Sequence, residues 1–288
     1  MYAPADEPTR ARMEAALAHA ADLFGEARGD GPIAWGWQGC TIGRRTGAYW
    51  LRVASGKGTR PPAPKHGEGA IGAQQLVPAE VPRPRLHDHT RWAADGYAYE
   101  AELADCLTTP VISPHRCDIT QDPGLPDQWW ADLRRALDVL AKAPGGRTTV
   151  RDRWAQRAFP HFLGVTAPEM IERTTGHGDL QWANLTQHPL TVIDWERWGR
   201  VPVGFDAGTL HAASLGVPAV AAMVREVFDD ILTTDAGRVG ELCALAEMLQ
   251  AVARGFYPRL ADALASRTEE LTGVRPPQAP AAELPQAE

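Results

Sequence analysis

His177-Gly178-Asp179-Leu180-Gln181-Trp182-Ala183-Asn184, and shortly after it Val192-Ile193-Asp194-Trp195-Glu196, is the stretch on which the reading of this chain turns. Asp179 and Asn184 sit five positions apart on a loop. Leu185 begins a short extended segment, His188-Pro189 supplies a turn, and Thr191, Val192 and Ile193 run back. A hairpin of this length delivers Asp194 beside Asn184, so that two carboxylates and one amide oxygen converge. A carboxylate and an amide oxygen are hard ligands suited to Mg²⁺, which keeps waters and takes further ligands from phosphate. The remaining carboxylate is free to accept a hydroxyl proton. The bland alternative, two solvated loop acids, leaves the joint spacing unexplained.

Around this stretch the chain changes character. Residues 9–25 carry Met13, Leu17 and Phe24 on one helical stripe. A glycine-punctuated run (Gly36, Gly39, Gly43, Gly47) precedes a strand over 48–54, with Tyr49, Leu51 and Val53 on one face and Trp50 and Arg52 on the other. A short helix over 70–77 and strands near 85–92 and 97–104, joined at Asp95-Gly96, follow. Beyond residue 120 helices dominate: Trp130, Leu133, Leu137 and Leu140 share one face, and 151–163, Val220–Ile231 and Leu242–Val252 mark others. The order predicts an α+β fold with a cleft between two lobes. The expected division is 1–105, 106–275, and a Pro/Ala/Gln-rich tail over 276–288 without fixed structure.

Composition narrows the function classes. The 288 residues carry a net charge of −7, which argues against a nucleic-acid clamp. Cys40, Cys106, Cys117 and Cys243 form no CxxC pair and read as free thiols. The polar start, Met1 to Arg10, has no apolar signal-peptide core, and no long apolar run suggests a membrane span, so a cytoplasmic location is expected.

The HGDxxxxN…IDWE pattern resembles the catalytic and metal-binding loops of the protein-kinase-like superfamily, in its aminoglycoside phosphotransferase and choline kinase branch. Gly178 stands where protein kinases usually carry Arg, and Asp194-Trp195-Glu196 where they carry Asp-Phe-Gly. The resemblance implies a two-lobed kinase-like fold with a small strand-rich N-lobe and a larger helical C-lobe. It implies transfer of the γ-phosphoryl group of ATP or GTP to a small-molecule hydroxyl, an EC 2.7.1-type reaction, with an antibiotic such as an aminoglycoside among the acceptors. In that scheme Asp179 is the catalytic base, Asn184 and Asp194 hold Mg²⁺, and His177 braces the loop. Asp206, in Gly204-Phe205-Asp206, caps the next helix or ties down the loop.

The first lobe departs from the family pattern. The strand position that usually carries a phosphate-binding Lys holds Arg52, with Lys57 as fallback; a surface arginine on an edge strand is the plain alternative. Glu68 is the expected ion-pair partner of Arg52, with Glu80 as rival. Gly36, Gly39 and Gly43 do not form GxGxxG, and serve either as a backbone anion nest or as an ordinary hairpin turn. The nucleobase is expected near Glu102 to Cys106. These departures keep a second reading open, a catalytically inactive nucleotide-binding protein of the same fold. Trp182 and Trp198 fit core packing better than a stacking wall. Acids between 206 and 272 (Glu226, Asp229, Asp230, Asp235, Glu241, Glu247) fit a solvated surface better than a polycation site.

Overall fold

The computed structural model describes residues 3–27, 29, 31–58 and 67–277, without the side chains of Trp37, Gly67 and Glu68. The chain divides into two compact units, one comprising residues 1–77, 82–110 and 191–197, the other 78–81, 111–190 and 198–288. The short segment that carries Asp194 therefore belongs with the N-terminal sheet, although both of its flanks belong with the helices.

The first unit opens with helix α1 (Glu7–Phe24). Asp6 caps it by accepting the Thr9 amide, and Gly25 ends it at φ +68°, a left-handed conformation that costs glycine little. Strands β1 (Ala34–Trp35), β2 (Thr41–Thr46) and β3 (Tyr49–Lys57), helix α2 (Gly67–Leu76), and strands β4 (Leu86–Ala94) and β5 (Tyr97–Asp105) follow. The strands form one antiparallel sheet in the order β1-β2-β3-β5-β4. Asp95 and Gly96 both take positive φ in the β4–β5 hairpin, the backbone that a two-residue turn needs to follow strand twist. Met13, Leu17 and Ala20 of α1 pack with Leu51, Val53, Tyr99 and Ala101 of the sheet in a single core. Arg12 pins that packing: its guanidinium lies 3.8 Å from the Tyr97 ring centre and donates to Ser55. Strand β3 runs to Lys57, three residues past the expected end, because 55–57 continue the ladder with Tyr97–Tyr99.

In the second unit, helices α3 (Asp127–Ala141) and α4 (Asp152–Ala158) precede the ribbon of β6 (Arg173–Gly176) and β7 (Gly199–Pro202). Helices α5 (Phe205–Ser214), α6 (Pro218–Val227), α7 (Asp229–Leu232), α8 (Asp235–Ala253) and α9 (Ala261–Thr272) complete it. The helix expected over 151–163 changes at Pro160 into a π-helical turn, Phe159–Leu163. Proline has no N–H to give the α-ladder, and the wider turn still buries Phe159, Phe162 and Leu163. Helix α8 is central, with Cys243, Ala244, Leu245 and Ala246 in the main core. Gly208 and Gly240 let its backbone approach α5 and the turn before it: a Cβ at Gly208 would lie 2.7 Å from the Glu241 Cα. No described helix is long and apolar enough to cross a membrane.

Candidate active site

The stretch that opens the sequence reading lies between β6 and β7 and contributes no residue to either strand. The short strands expected from Leu185 and over 191–193 form no regular ladder with each other: Thr186 makes an isolated bridge with Val111, and single 3₁₀ turns, Trp182–Asn184 and Trp195–Arg197, flank the two segments. Backbone groups find partners elsewhere: the Ile112 amide donates to the Leu185 carbonyl, and the Val192 amide to the Pro82 carbonyl. Pairing with these neighbours replaces the regular hairpin that local sequence suggests.

Within the second unit, Asp179 and Asn184 are brought together. The Asn184 amide nitrogen donates to the Asp179 carbonyl oxygen at 2.8 Å and reaches its Oδ2 at 3.3 Å. A carbonyl oxygen can only accept, so this bond fixes the amide orientation and turns Oδ1 away from it. Gln181 also donates to Asp179 Oδ2, at 3.1 Å.

The loop is held from below by Asp206. Its carboxylate accepts the His177 amide at 2.6 Å and the Gly178 amide at 2.8 Å, in a buried setting. Asp206 is not the N-cap expected from its residue type. Gly204 occupies that place at φ +81°, and Asp206 sits in the first turn of α5, where its oxygens leave the helix to take the loop amides. His177 is fully buried. Gly176 has no side chain because there is no room for one: a Cβ there would lie 2.5 Å from both Asp206 Oδ2 and Val201 Cγ2.

Trp182 and Trp198 are core residues. Trp182 is fully buried, stacks on Trp129 at 6.1 Å between ring centres and donates to Ser214 Oγ. Trp195, in the first unit, is also buried and donates to the Val192 carbonyl.

Asp194 lies in the first unit, at φ +65°. A non-glycine residue in that region carries strain of order 1 kcal/mol or more that the surroundings must hold in place. The surroundings here are ionic. Arg52 reaches Glu196 at 2.8 Å, Asp194 at 3.3 Å and Glu102 at 3.6 Å. Burial alone would lower the Arg52 pKa; the charges of Asp194, Glu196 and Glu102 reverse that and hold it above its ordinary value. Arg52 is thus no solvated edge-strand arginine.

Its described partners are carboxylates that the sequence reading did not single out for it. The Glu68 side chain lies outside the described residues, and Glu80 is exposed and belongs to the other unit. Glu102 is not in a connector after the strand: it is inside β5, directly opposite Arg52, and the strand runs on to Asp105. Sequence reasoning missed Glu102 and Glu196 as partners. The register of β3 on β5 carries the first signal, and the step of two from Asp194 carries the second. Helix α2 packs against the same turn, where a Cβ on Gly69 would lie 2.6 Å from the Glu196 Cα. Lys57 ends β3, at the Tyr97 end of β5. The β1–β2 connection, Gly36 to Cys40, is a tight turn in which the Gly36 amide donates to the Thr41 carbonyl. Gly43 lies inside β2 rather than in that turn, and gives space to the Trp50 ring.

The acids of the C-terminal helices do not behave alike. Glu226, Asp229, Asp230 and Asp235 are exposed, and Asp230 is gripped by Arg134. Glu241, expected at the surface, is fully buried beside His211, Arg267 and Arg225. Burial alone would raise its pKa; hydrogen bonds from His211 and Arg267 hold it down at about 2.

No family model matches the sequence, and no curated protein matches it. Solved structures do match the fold. A thermostable mutant of aminoglycoside phosphotransferase APH(4)-Ia, in a ternary complex with AMP-PNP and hygromycin B, aligns with a TM-score of 0.54 at 12% identity, over 89% of this chain and 97% of that one. A choline/ethanolamine kinase family protein from Mesorhizobium loti aligns with a TM-score of 0.56 at 15% identity, over 92% and 95%. The fold is similar to that of these aminoglycoside phosphotransferase and choline/ethanolamine kinase structures. In this kinase-like fold the five-stranded antiparallel sheet is the N-terminal part and the helices the C-terminal part. The identities are low, so the likeness is one of architecture, and residue roles rest on the chain's own chemistry.

Proposed function

We propose that this protein is a Mg²⁺-dependent small-molecule phosphotransferase that moves the γ-phosphoryl group of ATP or GTP to an acceptor hydroxyl. The observation that carries the reading is the Asp179–Asn184 pair, an acid and an amide locked to each other on a loop whose amides are anchored by Asp206. Phosphoryl transfer asks mainly for positioning and charge neutralisation, and a rigid loop bearing a carboxylate meets the first demand.

In this reading Asp179 orients the acceptor hydroxyl and takes its proton. Asn184 Oδ1 and the Asp194 carboxylate are the metal ligands. Each is a hard oxygen donor by chemistry, and the amide nitrogen of Asn184 is already engaged by Asp179. Mg²⁺, when bound, neutralises charge on the phosphate oxygens. Arg52 serves the nucleotide phosphates and, through Glu196 and Asp194, positions the strained turn on which Asp194 sits. The fold neighbour bound to hygromycin B makes aminoglycoside-type antibiotics the first acceptors to screen. The helical acids add little to that choice, because Glu241 is buried among cations and Asp230 is paired.

The test is product formation. Incubation with Mg²⁺, ATP or GTP and an acceptor panel should give a phosphorylated acceptor, and Asp179→Asn should reduce turnover by about 10²–10⁴-fold with nucleotide binding kept. Asp194→Ala should abolish metal-dependent nucleotide binding. Full turnover in both variants, or no nucleotide affinity in the parent protein, would remove the reading.

A further inference from the structure

A half-open cavity of about 270 Å³ lies among the C-terminal helices, entirely within the second unit. Arg225 of α6, Arg238 of α8 and Arg267 of α9 line it, with Leu232 and Leu271 as apolar wall, Thr233, and one carboxylate, Glu270, which Arg267 engages. Three arginines converging from three helices on one small cavity are an unusual use of surface, since like charges repel unless something neutralises them.

The neutralisation present is uneven. Arg267 is fully engaged: it donates to both Glu241 oxygens, at 2.8 and 3.1 Å, and to Glu270 Oε2 at 2.8 Å. Among the described residues Arg225 has only an attraction at 3.5 Å to Glu241, and its buried Nη1 has no hydrogen-bond acceptor there. Arg238 is exposed, and no described carboxylate pairs with it. Set against the three arginines, Glu241 and Glu270 supply two negative charges, one fewer than the cations. A buried N–H of a charged group without an acceptor is costly, and an arriving acceptor recovers that cost.

The geometry points to a binding site for a small oxyanion, a phosphate- or carboxylate-bearing molecule, held by Arg225 and Arg238 with Arg267 as fixed wall. Guanidinium forks match the paired oxygens of either group. The volume exceeds what a lone phosphate fills, and the leucines suit a carbon skeleton attached to the anion. Neither the phosphotransferase reading nor any of its residues enters this assignment.

Calorimetric titration of the full chain with inorganic phosphate, and separately with acetate, at low salt tests it. Saturable one-site binding of either anion is expected, weakened about tenfold or more, roughly 1.4 kcal/mol, by Arg225→Gln and by Arg238→Gln. The tighter anion identifies the group recognised. Arg134→Gln, whose parent side chain is held by Asp138 and Asp230 outside the cavity, should leave binding unchanged. Arg238→Gln removes an exposed, unpaired side chain and keeps the fold, so it decides the matter even if Arg225→Gln does not fold. No saturable binding of either anion at tens of millimolar, on the order of the weakest affinities calorimetry resolves, overturns the site. So does binding that Arg238→Gln leaves untouched.

Discussion

Replacing Asp206 by Asn changes one atom of the anchor beneath the candidate catalytic loop. In the parent protein one carboxylate accepts two buried amides, at 2.6 and 2.8 Å. Bonds to a charged acceptor contribute about 1.5–3 kcal/mol each. Asparagine can accept only one of them with Oδ1; its NH₂ then faces the second amide, which is left buried without an acceptor at a cost of about 1–3 kcal/mol. A local loss of roughly 3 kcal/mol follows, with little change in volume. Native-state hydrogen exchange reads this directly: protection of the His177 and Gly178 amides should fall by about two orders of magnitude, while amides in the β3–β5 ladder keep theirs. Gly176→Ala attacks the same contact from the opposite side. Its methyl must displace Asp206 Oδ2 or Val201 Cγ2, each 2.5 Å away, at an overpacking cost of about 1–3 kcal/mol. Because both changes act on one contact, the double variant should lose less than the sum. Unchanged protection of both amides in Asp206→Asn would refute the anchoring argument.

Glu241 makes stability pH-dependent on the acid side. Its pKa is depressed to about 2 from 4.5, so the stabilisation is fully present above pH 4.5 and is lost as pH falls toward 2. The shift corresponds to about 3 kcal/mol, and Glu241→Gln should flatten the acid limb of a denaturation-versus-pH curve. Arg52→Ala leaves Asp194, Glu196 and Glu102 crowded without their cation. A loss of about 3–5 kcal/mol in urea unfolding is expected, smaller for Arg52→Lys. Gly240→Ala drives a methyl into the Val203 carbonyl and Phe205 amide where α8 meets α5, and should lower the melting temperature by several degrees, roughly 2–4 °C per kcal/mol at this chain length. A melting curve superimposable on the parent's would contradict the packing there.

The parts legible in the sequence were those whose signal is local. Asp95-Gly96 announces its hairpin because few other residue pairs take positive φ twice running. The apolar stripe of α1 and the alternation of β3 mark the faces that meet in the N-terminal core. Asp179 and Asn184, five apart, meet as their spacing suggests. What escaped depends on distant partners. Glu241 sits in a helix whose pattern gives it to solvent, yet His211, Arg225 and Arg267 arrive from α5, α6 and α9 to bury it. Of the two roles offered to Asp206, helix cap or loop tie, the carboxylate takes the second, since residue type favours a cap but two loop amides offer it more.

Arg52 shows how far a departure from a family pattern can mislead. An arginine in place of lysine on a central strand looks like a weakened phosphate site, or a surface residue. In the fold it is the hub of three carboxylates, two of them on the turn that carries Asp194. A lysine offers one compact charge, whereas a guanidinium can span Glu102 on a neighbouring strand and Asp194 and Glu196 together. The turn needs such a span, because Asp194 is held in a strained conformation. In the proposed reading Asp194 also ligates Mg²⁺, a hard cation suited to a carboxylate oxygen. Metal dependence of the first unit's own stability is therefore the sharpest discriminator. Mg²⁺ should raise the melting temperature of the parent protein more than that of Asp194→Ala, and an equal rise in both would detach Asp194 from metal binding.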